Sequence, residues 1–308
     1  MNKQAFLAAA AQVAPAYLDL DRSLGIAEAW ISRAGQQGVK LLVFPETWLP
    51  GYPFWLDDAP SMALWDYPPT KAVFRRLFEN SVEIPSSATE RLAHAAQAAQ
   101  VNVVMGLNER DGQTLYNSML YISDQGELLG KHRKLVPTFT ERMVWGRGDG
   151  STLTVVDTSV GRVGGLVCWE HWMPLARQSM HQQRELVHAA VWPTVKEMLL
   201  LASRAYAFEG RTYVIAVGTP LRRDNLPTDL DLLNELEGDG PWMRGGSAII
   251  GPDGECLAGP AGDGEDLLIA EIDPGRVTEE LMALDVTGHY ARPDVFTLTV
   301  DTKPHSCL

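Results

Sequence analysis

Residues 40–46, KLLVFPE, set an unbroken apolar run directly before a proline and a carboxylate. Such a run lacks the alternation of a half-exposed strand and predicts a strand buried on both faces. The flanking segments extend the pattern. AFLAAAAQV (5–13) predicts a first strand, and Asp21 to Ala34 a helix whose apolar side holds Leu24, Ile26, Ala27, Trp30 and Ile31. Helices over 70–80 and 86–99 lead to a strand VNVVMGL (101–107). LYNSMLYIS (115–123) and ELLGKHRK (127–134) flank Asp124-Gln125-Gly126 as a hairpin. TLTVVDT (152–158) and RVGGLVCW (162–169) predict the next strand pair, followed by a helix from Pro174. A strand HAAVW (188–192), a helix over 196–209 and a strand TYVIAVG (212–218) come next. SAII (247–250), ECLAG (255–259) and LLIAEI (267–272) close the strand series before a helix over 276–284. Crossover units mixed with hairpins predict one α/β domain, with mixed sheets inside and helices outside.

Two irregular stretches interrupt this order, 46–69 and 219–245. The first is rich in Trp and Tyr, which argues for order. The second, LRRDNLPTDLDLLNELEGDG, is acidic and reads as a mobile or interface insert.

Composition narrows the functional classes. The 308 residues are 45% apolar with a formal net charge of −13, a globular profile that opposes a nucleic-acid groove. Cys168, Cys256 and Cys307 are too far apart for a CxxC zinc site and make no disulfide framework, so a reduced cytoplasmic setting is expected. AFLAAAAQVAPA imitates a signal peptide, but its short apolar run leads straight into a helix, and a core strand is the better reading. No stretch approaches the ~18–20 apolar residues of a membrane span.

Three polar residues share one description: Glu46 follows LLVFP, Lys134 ends ELLGKHR and Cys168 ends GRVGGLV. Ligands gather at the carboxyl ends of strands in open α/β sheets. Each residue alone also fits a duller role: a loop acid, a solvated basic run and a small core side chain. Together they suffice for acyl transfer. A thiol is a poor nucleophile near neutrality, an ammonium favours its thiolate, and a carboxylate can take its proton and later activate water.

The motifs around these residues resemble the nitrilase superfamily of carbon-nitrogen hydrolases. FPETWLPGYPFW, GKHRKLVPTFTERMVWGRGDG and CWEHWMPLAR match its three catalytic motifs in the family's order, with AVWPT (190–194) and GHYARPDVF (288–296) as further matches. CWE, ERMVWGRGDG and RPDV point to the nitrilase branch. The resemblance implies Cys168 as nucleophile, Glu46 as base, Lys134 as cationic stabiliser and Glu141 as a second glutamate orienting Lys134 and water. The N–H of Trp169 would help hold the developing anion.

It further implies a four-layer αββα sandwich over residues 1–285 that dimerises to αββα-αββα, with 286–308 as a tail in packing or oligomer contacts. No cofactor or metal is implied; the substrate is a small nitrile and the assembly a homodimer or larger. An amidase or carbamoylase using the same triad is the alternative within enzymes. A catalytically silent assembly protein is the alternative outside them. Many relatives read CWEN where this chain has His171, and CWEH is commoner among those acting on arylacetonitriles or cyanide. His171 is read as a supporting hydrogen-bonding residue near the substrate. The chain also lacks, after Leu308, the long tail many nitrilases carry, which argues against extended filaments. Tyr52, Trp145, Trp169, Trp172 and Trp192 are expected to line an apolar substrate pocket.

Overall fold

In the computed structural model, which describes residues 4–305, the strands form two six-stranded mixed sheets. The chain-order strands of the first half are Phe6–Gln12 (β1), Val39–Val43 (β2), Asn102–Asp111 (β3), Thr114–Ile122 (β4) and Leu128–Arg133 (β5). Those of the second are Val156–Thr158 (β6), Gly161–Val167 (β7), Val187–Val191 (β8) and Tyr213–Val217 (β9). Pro220–Leu221 (β10) and Met243–Arg244 (β11) make a small separate ladder. Ala248–Ile250 (β12), Cys256–Ala258 (β13) and Asp266–Ile272 (β14) complete the set. The helices are Leu20–Gln36 (α1), Trp55–Asp58 (α2), Pro68–Glu79 (α3), Ser87–Ala99 (α4), Pro174–His181 (α5), Glu197–Gly210 (α6), Asp231–Asn234 (α7) and Pro274–Glu280 (α8).

One sheet runs β14-β1-β2-β3-β4-β5 and the other β13-β12-β9-β8-β7-β6. Both have a parallel centre, β1-β2-β3 and β7-β8-β9, with antiparallel strands at the edges. Strand period two separates the layers. Ala8 and Ala10 of β1 join Leu41, Val104 and Met119 in the core shared with the second sheet, whereas Ala9 and Ala11 face Leu24, Ile31 and Leu92 of α1 and α4. Ala202 and Tyr206 of α6 close the second sheet. The result is the αββα sandwich expected.

Two expectations need correction. TLTVVDT contributes only Val156–Thr158, because Gly150–Thr152 turn as a 3-10 segment. The acidic stretch 219–245 is ordered: Leu226, Leu230, Leu232, Leu233 and Leu236 are buried against Phe54, Trp55, Leu56 and Leu77. Its charges mask leucines that share one side, and the aromatic stretch 46–69 supplies the matching surface. Past α8 the chain carries exposed Tyr290, Val295 and Phe296, and Asp149 Oδ2 accepts from the His305 N–H at 2.7 Å. Cys307 lies outside the described residues.

Candidate active site

Glu46 lies three residues beyond β2, where the chain leaves the sheet beside β3. Gly106 makes that possible, since a Cβ there would sit 1.9 Å from the Pro45 carbonyl oxygen. Lys134 follows β5 directly, and its N–H donates to the Asn117 carbonyl at 2.8 Å, which sets Lys134 beside Asn117 of β4. Cys168 does not continue β7 as the sequence suggested. It opens a 3-10 turn, Cys168–Trp172, with φ +53°, in the left-handed region that costs a non-glycine residue on the order of 1–2 kcal/mol. The turn aims the sulfur back at the other two residues.

All three are buried, with Glu141 from the 3-10 turn Phe139–Met143 as a fourth. Lys134 Nζ sits between two carboxylates, 3.0 Å from Glu46 Oε1 and 2.7 Å from Glu141 Oε2. Ligand-type atoms of Glu46, Glu141 and Cys168 lie within 4.8 Å of one another. Such a set could bind a metal ion, but the Lys134 ammonium already supplies the positive charge between the carboxylates. Asn117 Nδ2 donates to Glu46 Oε1 at 2.7 Å, and Glu46 Oε2 has no partner among the described residues. That free oxygen suits a base. Tyr52 OH donates to Glu141 Oε1 at 2.8 Å, and the Thr138 N–H donates to Oε2 at 2.7 Å, so Glu141 is held from both ends.

Burial pushes the Glu46 carboxyl up to about 7, against the pull of the Lys134 charge. Burial also pushes the Cys168 thiol up, reinforced by Glu46 and opposed by Lys134 and by the Trp169 N–H. Burial alone would lower Lys134, but the charges of Cys168, Glu46 and Glu141 outweigh it and hold the ammonium protonated. The resting site is therefore a thiol beside a base whose pKa lies near neutrality. In that arrangement Glu46 can accept the Sγ proton as an electrophile arrives.

Cys168 and Glu141 form the floor of a cleft of about 640 Å³ whose walls include Tyr52, Phe54, Trp169, Met198, Leu199 and Trp242. Of the pocket aromatics expected, Tyr52 and Trp169 line it and the other three do not. Trp145 is buried behind Tyr52, with its indole N–H on Asn108 Oδ1 at 2.8 Å. Trp192 is fully buried and stacked on His171 at 4.8 Å, and Trp172 is exposed outside the cleft. His171 is likewise absent from the cleft walls: its Nδ1 lies 2.7 Å from the Cys168 carbonyl oxygen. The indoles were misplaced because packing needs for large aromatics look the same in sequence as ligand contacts.

The sequence reading did not single out Asn117 or Glu170. Asn117 is the one amide in the mostly apolar strand β4, and that was its signal. Glu170 Oε2 accepts from the Val167 N–H at 2.7 Å and Oε1 from the Leu135 N–H at 2.8 Å, with His132 Nε2 2.9 Å from Oε2. It thus ties the residue before Cys168 to the residue after Lys134.

A buried thiol beside two carboxylates and an ammonium, opening on a cleft with aromatic walls in an αββα sandwich, has the chemistry of a cysteine hydrolase. The chain belongs to the carbon-nitrogen hydrolase family, whose model matches residues 7–280. A nitrilase of Bradyrhizobium diazoefficiens is 38% identical over 278 residues, 90% of this chain and 86% of its own. An aliphatic nitrilase of Sinorhizobium fredii is 37% identical over 303 residues, covering 98% of both. Among solved structures, a carbon-nitrogen hydrolase from Helicobacter pylori superposes with a TM-score of 0.72 at 21% identity, over 94% of this chain and 97% of that one.

Proposed function

We propose that this chain hydrolyses neutral organic nitriles to the carboxylic acid and ammonia through a covalent adduct on Cys168. The observation that carries the reading is the buried cluster of Glu46, Lys134, Glu141 and Cys168, which meets the cleft at Glu141 and Cys168. The two nitrilase relatives give the substrate class. Glu46 Oε2 takes the thiol proton as Sγ adds to the nitrile carbon and passes it to the nitrogen, which gives the neutral thioimidate and returns Glu46 to its carboxylate. Water, deprotonated by Glu46, adds to that carbon, and Lys134 stabilises the tetrahedral species. Ammonia leaves, a thioester remains, and a second water releases the acid and restores the thiol. Expulsion of the thiol from the tetrahedral species instead yields an amide.

The cleft walls are apolar and aromatic, with Asp57, Asp58 and Glu197 set against Lys196 among its polar lining. That lining favours neutral aliphatic or arylaliphatic groups and repels anions. Free cyanide has no apolar body to bind and is expected to be a poor substrate. The test is kcat/KM for phenylacetonitrile, a medium-chain dinitrile, cyanide and the matching amides, followed by ammonia release. Nitriles are expected to lead. Faster turnover of every amide would assign the chain to amide hydrolysis, and silence on both panels would leave only an assembly role.

Assembly as a homodimer or larger is part of the same reading. Leu175 of α5 and Met198, Leu201 and Phe208 of α6 are exposed, an apolar set that a second copy would cover. In the tail, Tyr290, Val295 and Phe296 are further exposed apolar residues suited to oligomer contacts. Light scattering is expected to give at least twice the 33.9 kDa chain mass; a single-chain mass at micromolar concentration would rule the dimer out. No helix among the described residues is long and apolar enough to cross a membrane. Cys168 and Cys256 are free thiols, which suits the reducing cytoplasm where we place the enzyme.

A further inference from the structure

Behind the nucleophile, on the side away from the cleft, a line of buried polar groups runs through the second sheet. His171 Nδ1 is 2.7 Å from the Cys168 carbonyl oxygen, and His171 Nε2 is 3.0 Å from His188 Nε2. His188 Nδ1 is 3.0 Å from both carboxyl oxygens of Glu185, and Tyr206 OH donates to Glu185 Oε1. None of these side chains takes part in the reaction described above. Room for the carboxyl exists because residue 164 is glycine: a Cβ there would lie 2.1 Å from Glu185 Oε2.

Donor and acceptor chemistry fixes the protons along this line. A carbonyl oxygen only accepts, so His171 carries its proton on Nδ1. Neutral His171 then offers a lone pair at Nε2, and His188 must donate from its own Nε2. His188 Nδ1 in turn faces Glu185, and one proton must lie between them. If that proton is lost, two acceptors face each other somewhere in the line. Tautomer shifts can move this defect but not remove it, and at the far end it falls between His171 and the Cys168 carbonyl.

We propose that His171, His188 and Glu185 are positioning residues whose single shared proton holds the Cys168 carbonyl, so that losing it releases the left-handed turn carrying the nucleophile. The proposal rests on Cys168 being the nucleophile. Burial pushes Glu185 up to about 7 and lowers both histidines, which puts the shared proton on Glu185. The other charged or titrating groups facing Glu185 are Tyr206 of α6, His181 of α5, Arg162 of β7 and Tyr121 of β4. His188 faces His181, Glu170 and His132, and Arg177 donates to the His171 carbonyl at 3.1 Å. Burial outweighs His181 and Arg162, which favour the Glu185 carboxylate. Release of the turn matters because a displacement of about 1 Å can cost on the order of 10²-fold in rate.

The test is the pH profile of kcat between pH 5 and 9.5. The wild type should show an acid limb from Glu46 and an alkaline limb falling by about tenfold or more. In Glu185→Gln the amide donates to His188 and accepts from Tyr206 without titrating, so the alkaline limb should vanish while the acid limb stays. Tyr206→Phe, a milder change if the first variant misfolds, removes a bond that stabilises the carboxylate and should move the limb to higher pH. His171→Ala should lower kcat by about 10²-fold with KM nearly unchanged. Alkylation of Cys168 by iodoacetamide, followed by mass spectrometry, should show the same break without any choice of nitrile. It therefore still decides the proposal if the nitrile reading fails. An alkaline limb that is absent from the wild type, or unmoved in the folded variants, overturns it.

Discussion

Cys168→Ala is expected to lower nitrile turnover by about 10⁴-fold or more while leaving the fold intact. Loss of the central nucleophile in a catalytic unit removes the covalent path altogether, and what survives is binding and local polarity. The structural cost is small. The sulfur is buried at the floor of an open cleft, so truncation enlarges a cavity that already reaches solvent. The left-handed φ of +53° is no harder for alanine than for cysteine, and the bonds from Glu170 and His171 act on backbone groups that remain. The variant should also lose an ionisable group that burial and Glu46 keep protonated, which relieves rather than strains the site. Ammonia release and thermal unfolding measured together give the result. Intact mass of the wild type with a slow substrate should add one acyl or imidoyl group on the Cys168 peptide. An adduct on Cys256, or normal turnover by the alanine variant, would refute the nucleophile.

What could be read before the fold was known follows the strength of the local signals. LLVF (41–44), HAAVW and TYVIAVG are buried on both faces, and such strands announce themselves as nearly unbroken apolar runs. Glu46 and Cys168 stood out because each follows an apolar run, and Lys134, which ends a basic run, stood out only through the long motif around it. The left-handed turn at Cys168 was not legible, since nothing in RVGGLVCW forbids another strand residue. Packing partners were least legible. Trp145, Trp192 and Trp172 have the composition of a pocket wall, but the αββα layers put two of them inside and leave the third off the cleft. The leucines of 219–245 were hidden by their acidic neighbours, because their burial depends on the 46–69 surface far away in sequence. His188 and Glu185 matter only through a chain of contacts no spacing rule describes.

Lys134→Met is expected to abolish activity and to destabilise the protein by about 3–5 kcal/mol near pH 8, the range for leaving buried charge without its partner. Methionine fills nearly the same volume, so packing contributes little. What changes is charge: Glu46 and Glu141, each within 3.0 Å of the ammonium in the wild type, would face one another with nothing between them. Lys134 is the main group holding Glu46 down against burial, and Glu141 pushes it up, so the variant's Glu46 must rise above its present value of about 7. The sign of the pH dependence follows from linkage. A carboxyl whose folded pKa exceeds its unfolded value binds its proton more readily in the folded state, so its stabilising contribution is complete below the unfolded pKa of about 4.3 and is lost as pH rises through the folded one. The deficit relative to wild type should therefore be largest above neutrality and shrink as pH falls towards 5. Urea unfolding of both proteins at pH 5, 6.5 and 8 measures it. A deficit equal at all three values would mean that Lys134 supports the fold through packing, and the two carboxylates would not be the opposed pair that the geometry describes.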